Sequence, residues 1–161
     1  GNSYTGCLWG SIIDNVGGIN IADSVLDASE GYGALDKEYV LSQNPDVILI
    51  GGSIWTGTNT DSDQMRMGLT VDSAMSQERL QGFMTRDGWS GLNAVKNGEV
   101  YGVDHGSLRF MGDYVYTLAI AKAIYPDVFE DVDPQKEMEN FYAKYLPEFD
   151  STGTYFIKLE K

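Results

Sequence analysis

The sequence predicts an α/β fold, a three-layer lobe in which a mainly parallel central sheet is flanked by helices. Two stretches and one rhythm predict it. In residues 35–52, LDKEYVLSQNPDVILIGG, a capped helix leads into the unbroken run Val47, Ile48, Leu49, Ile50. A β-branched run without polar alternation suits a strand buried on both faces, as in a central parallel strand covered by helices. Residues 89–103 repeat the pattern, with a helical turn, the turn signal Asn97-Gly98 and then the apolar stretch 100–103. The rhythm is the order helix, strand, helix, strand over the first 50 residues or so, which implies right-handed crossovers and a parallel sheet.

The first element is a helix over residues 5–15, with Leu8, Trp9, Ile12, Ile13 and Val16 at helical spacing and Gly17-Gly18 as a left-handed stop. Residues 19–22 read as a short strand. Asp36 caps the next helix, Leu35 and Val40 form its hydrophobic staple, and Pro45 ends it. After the Val47 to Ile50 strand, Gly51-Gly52 opens a long polar stretch over residues 53–72 that shows no period and reads as a loop. A helix begins near Ser76 and carries Leu80, Phe83 and Met84, followed by the turn and strand already described. Residues 114–125 form a helix halted by Pro126, and residues 134–145 another that starts favourably on Pro134 and stops before Pro147. The tail, residues 154–159, adds an edge strand.

With 161 residues the chain suits one domain with a real core. Lysine and arginine total 11 against 24 acidic residues, for a formal charge of -13. That balance excludes nucleic acid as a partner, because phosphate binding needs a basic surface. A single cysteine, Cys7, excludes an intrachain disulfide or a multi-thiolate metal site. No apolar run is long enough to span a bilayer. The absence of an initial methionine is expected to reflect a trimmed start, which leaves room for a targeting segment before it.

Phosphate loops, His-Glu-His zinc spacing and nucleophile elbows do not occur in the sequence, so no catalytic residue, cofactor or resident metal is expected. In open α/β sheets ligands bind beyond the carboxyl ends of the strands. Two segments lie there: Trp55 after the double glycine, and residues 104–109, DHGSLR, after the later strand. His105 reads first as a hydrogen-bonded loop residue; with one acidic neighbour, Asp104, it makes no metal site, and its position places it on the ligand side. Three tryptophans and ten tyrosines are many for an acidic domain. Tyr4, Tyr32 and Trp55 sit in glycine- or serine-flanked loops and together suggest an aromatic-lined surface for a bulky ligand.

The succession GGINIAD, DKEYVLSQNPDVILIGG, GWSGLNAVKNGEVYGVD and AIAKAIYPDVF resembles the C-terminal lobe of the class III periplasmic binding proteins, the siderophore-, haem- and cobalamin-binding components of ABC importers. The pairing of NPDVILI with W-x-x-L-x-A-V-K-N-G-x-V-Y is its most specific part, and the resemblance covers nearly the whole chain. It implies that residues 1–161 are one lobe of a two-lobe protein, whose N-terminal lobe and linking helix are absent. It implies a non-enzymatic, monomeric carrier outside the cytoplasm, in the periplasm or lipid-anchored at the cell surface. The cargo would be an iron complex, a ferric siderophore first and haem or a corrinoid next, handed to an ABC permease in the membrane. By the same resemblance Tyr4 and Tyr32 line the ligand cleft, and Trp55 and Arg109 occupy cleft-side positions that the sheet argument reaches independently, as it does for His105; an arginine suits anionic groups on an iron chelate. Glu38 matches the family glutamate that pairs with permease arginines. The 53–72 stretch is longer than the family usually carries. Two rivals remain: a nitrogenase-type metallocluster subunit, which needs several cysteine ligands, and a nucleotide-binding regulatory domain, which needs a glycine-rich strand-to-helix turn where GGSIWTG leads into a polar loop.

Overall fold

A computed structural model of the chain describes residues 2–54 and 63–160. In order, the elements are β1 (Ser3–Tyr4), α1 (Leu8–Asn15), β2 (Tyr32–Gly33), α2 (Lys37–Gln43), β3 (Ile48–Gly52), β4 (Gly68–Leu69), α3 (Ser73–Met84), α4 (Asn93–Asn97), β5 (Val100–Asp104), α5 (Tyr114–Ile124), α6 (Pro134–Tyr145), β6 (Gly153–Thr154) and β7 (Phe156–Lys158). The helix boundaries follow from their caps. Asp36, Asp72 and Asp133 accept from Tyr39, Ala74 and Lys136 backbone N–H groups, each satisfying a donor left over in a first turn.

The main sheet has the order β3-β5-β7. β3 runs parallel to β5, from Ile48 opposite Val100 to Gly52 opposite Asp104, and β7 pairs antiparallel with β5 through Gly102 and Ile157. The fold is therefore α/β and layered as expected, but its sheet is mixed. Two short antiparallel ribbons, β1-β2 and β4-β6, complete the pairing among the described residues. Among the described residues the central strand is β5, buried along its whole length, whereas β3 is half-buried and lies at the edge. The apolar run at 47–50 specifies a strand covered on both faces; it does not specify a neighbour on both edges, and the expectation that it would be central is corrected here.

Side chains alternate across this sheet with period two. Leu49, Val103 and Phe156 face a core built by Trp9 of α1, Val115, Tyr116 and Ile120 of α5, and Met138, Phe141 and Tyr142 of α6. Ile48, Ile50, Val100 and Ile157 face the other core, with Leu80 of α3, Ala94 of α4, Met65 and Met67. Part of the expected 53–72 loop is thus interior: Met65 and Met67 are almost fully buried. Gly102 makes room for them, since a Cβ there would meet the Met65 terminal methyl at 2.5 Å and the Met67 sulfur at 3.1 Å. Their lack of periodicity hid this role.

Residues 19–22 are not a strand. Ile21–Ser24 forms a 3-10 turn, and Ile19 is 95% exposed. Asn20 is the cause: its amide oxygen accepts from Ala22 N–H while its amide nitrogen donates to the Tyr4 carbonyl and to Asp23. A local side-chain bond of this kind competes with strand pairing and wins at an exposed segment.

Candidate ligand-binding site

The carboxyl ends of β3 and β5 lie side by side, and the His105 backbone N–H donates to the Gly52 carbonyl at 2.7 Å, extending their ladder by one bond. The β1-β2 ribbon reaches this end of the sheet. Tyr4 and Tyr32 are register partners in the ribbon, with ring centroids 6.2 Å apart. Tyr4 in turn stacks on the His105 imidazole at 5.8 Å and an interplanar angle of 27°. Three residues distant in sequence thus form one aromatic group, whose outer member, Tyr32, is 56% exposed.

Beneath it lies a residue that sequence reasoning assigned only to the core. The Trp9 indole N–H donates to Nδ1 of His105 at 2.9 Å, and its ring meets Tyr116 edge-on at 5.5 Å. Helical spacing in α1 correctly placed Trp9 inside. The remaining signal was chemical, because a buried indole N–H needs an acceptor, and the single imidazole of the chain is one.

Asp104 sets the geometry of the turn. Its buried carboxylate accepts from the backbone N–H groups of Gly106 and Ser107 and from the Tyr116 hydroxyl. The chain so held is the 3-10 helix Gly106–Arg109, which ends on exposed Arg109. Burial pushes His105 below the ordinary imidazole range, the Arg109 charge pushes the same way, and Asp104 opposes both. Burial also drives the Tyr116 hydroxyl well above its usual value, with the Asp104 charge next in importance. At neutral pH the site therefore holds a neutral imidazole beside a permanent cation.

Of the residues expected to face a ligand, Tyr4, Tyr32 and His105 come together, and Arg109 stands close enough to act on His105 electrostatically. Trp55 lies outside the described residues. Glu38 is exposed in the first turn of α2, as expected. Cys7 is half-buried and donates its thiol to the Gly31 carbonyl, which ties the start of α1 to the strand carrying Tyr32. Two concavities, of about 260 and 430 Å³, lie elsewhere, around Asp72 and the β4-β6 ribbon, and contain none of these residues. Of the three rings only Tyr32 is exposed, and Tyr4 and His105 are half-buried. Among the described residues no cluster of three or more His, Cys, Asp or Glu is arranged to hold a metal ion, and no helix is long and apolar enough to cross a membrane.

The periplasmic binding protein family model matches residues 3–105, from the first tyrosine strand to the imidazole. The chain belongs to that family. Within the periplasmic binding proteins it is similar to the TroA-like protein FepB from Veillonella parvula, at 36% identity and a TM-score of 0.90 over 99% of this chain. It is also 25% identical over 150 residues to the molybdate-binding protein MolA of Haemophilus influenzae. The molybdate-bound structure of MolA superimposes with a TM-score of 0.61 at 21% identity, a likeness of fold. The chain spans 44% of the FepB chain and 36% of MolA.

Proposed function

We propose that the chain is the C-terminal lobe of a two-lobe substrate-binding protein serving an ABC importer outside the cytoplasm, and that the Tyr4-Tyr32-His105 surface is its half of the ligand cleft. The carrying observation is the convergence of these three rings at the carboxyl ends of two parallel strands, with Arg109 beside them. An open wall of aromatics with one cation fits a bulky, oxygen-rich anionic cargo, and a ferric siderophore is the first choice, with haem or a corrinoid next. The relatives, more than twice as long as this chain, leave room for a second lobe to supply the opposite wall. A small oxyanion such as molybdate is the second reading, favoured by the relation to MolA. Glu38 docks a membrane permease, and the protein acts as a monomer, lipid-anchored or free.

The test is calorimetric titration of the longer protein with a ferric trihydroxamate, haem, cobalamin and molybdate. Tyr32→Ala should weaken binding of the preferred ligand by about 1–3 kcal/mol, as for an aromatic anchor in a desolvated pocket, without altering the melting temperature. Unchanged affinity, or no binding of any of the four, sinks the cleft assignment. Glu38→Arg should leave the titrations as they are and abolish uptake into vesicles carrying the permease; intact uptake removes the docking role.

A further inference from the structure

We propose that Met111, held beside Arg109 by the turn that follows β5, is a specificity-determining residue, and that the cargo is an amphiphilic anion with an apolar group next to its charged oxygens. This inference rests on the cleft assignment above and narrows it. The segment from Asp104 to Tyr116 is closed at its base, where the Tyr116 hydroxyl donates to the Asp104 carboxylate at 3.3 Å. Between those two residues the side chains alternate. Leu108 is buried, Arg109 exposed, Phe110 half-buried, Met111 82% exposed and Gly112 buried. Phe110 is extended, at φ -138° and ψ 177°, so its two neighbours project the same way, with Cα atoms about 7 Å apart. Guanidinium and thioether therefore stand side by side on the outer face of this segment.

The exposure of Met111 follows from how the turn is braced. Phe110 stacks on Tyr142 at 5.9 Å and meets Phe141 edge-on at 5.2 Å, which pins the turn to the core. Asp113 N–H donates to the Phe110 carbonyl at 3.1 Å and closes the turn with Met111 at its tip. Gly112 lies against the Phe110 ring, since a Cβ there would come within 2.5 Å of it. Only the outer side is left for Met111. Tyr114 extends the same surface: it is 46% exposed, and its ring lies 6.4 Å from Phe141. A single apolar side chain in water is ordinary, but two on a braced turn beside a cation, at the carboxyl ends of the strands, make a surface of mixed character. Methionine suits a bulky, irregular partner because its unbranched side chain adapts to shape. The pair fits a carboxylate or catecholate at Arg109 whose ring or chain lies over the thioether. A bare oxyanion engages the arginine and leaves Met111 in water.

The test is calorimetric titration of the longer protein with haem and a ferric tricatecholate, which join anionic oxygens to apolar rings, and with molybdate, which has no apolar part. Met111→Ser should weaken binding of haem or the tricatecholate by about tenfold, and Met111→Leu, which keeps the apolar contact, should stay within about twofold of wild type. Arg109→Gln should weaken any of the three that binds, whereas Met111→Ser should leave molybdate unaffected. The side chain of Met111 lies in water, so neither substitution there should alter the ligand-free melting temperature. Binding of neither haem nor the tricatecholate overturns the inference, and so does an equal loss with Met111→Ser and Met111→Leu. A loss that extends to molybdate with Met111→Ser overturns it as well. If Met111→Ser has no effect where Tyr32→Ala weakens the same ligand, this inference falls and the cleft assignment stands. If neither substitution has an effect, both fall.

Discussion

At the end of β5 a single carboxylate makes the turn that carries His105 and Arg109. Asp104 gathers two backbone donors and one buried hydroxyl, and a Cβ on Gly68 would come within 2.9 Å of its Oδ1 at a φ of +100°, so the opposite loop must be glycine there. Asp104→Ala would strand three donors, two of them in the backbone. We expect it to cost on the order of 3 kcal/mol in urea unfolding, and a loss below about 1 kcal/mol would show that water replaces the carboxylate. Asp104 was visible in the sequence only as an acidic neighbour of His105, because its partners are main-chain groups and a tyrosine 12 positions away. Tyr4 and Tyr32 were legible as aromatics in glycine- or serine-flanked segments but not as partners in a ribbon, and Tyr4 also packs against the core of α1, α5 and α6. Trp9 was legible as buried and illegible as a partner of His105, a contact across 96 positions that no period encodes.

Two sequence motifs meet at the opposite, amino end of the sheet. Asn44, in the left-handed conformation at φ 46°, caps α2 and accepts from Asn93 N–H at 2.8 Å; Ala94 N–H donates to the Pro45 carbonyl at 3.0 Å; the Asn93 side chain donates to Asp46 at 3.0 Å. NPDVILI and NAVKNGEVY are thus the two halves of one clasp that sets the register of β3 against β5. Asparagine serves at 44 on two counts, tolerance of positive φ and an acceptor for Asn93. Asn44→Ala loses both and should destabilise by about 2 kcal/mol, whereas Asn44→Gly restores the backbone and should cost about 1 kcal/mol. Equal losses in thermal or urea unfolding would show that the side-chain bond contributes nothing. Helix α2 was readable from its cap and stop because those rules are local. The place of β3 in the sheet was not, since edge or centre is decided by strands elsewhere in the chain.

Taken whole, the molecule leaves the outer edge of β3 without a strand partner among the described residues. Ile48 N–H and the Gly52 carbonyl bond towards β5, so by the two-residue period Leu49 and Gly51 turn their backbone groups to the other side, along β3's outer edge. Hydrogen exchange should reveal this directly: in the 161-residue chain, Leu49 and Gly51 amides should exchange at least tenfold faster than those of Ile50 and Gly52. Equal protection would mean that another segment pairs there, and the same measurement on the longer protein would show whether its additional residues do so. The sheet also separates two tasks by its length. The clasp lies at the amino ends of β3 and β5, and the rings and charge proposed for cargo lie at the carboxyl ends, on short ribbons and turns. If residues 4, 32, 105 and 109 face the cargo as proposed, substitutions there should change what is bound while the clasp keeps the strands in register. The strand register and the cargo surface would then be set at opposite ends of the sheet, and a chimaera bearing these rim segments from MolA should fold as this chain does.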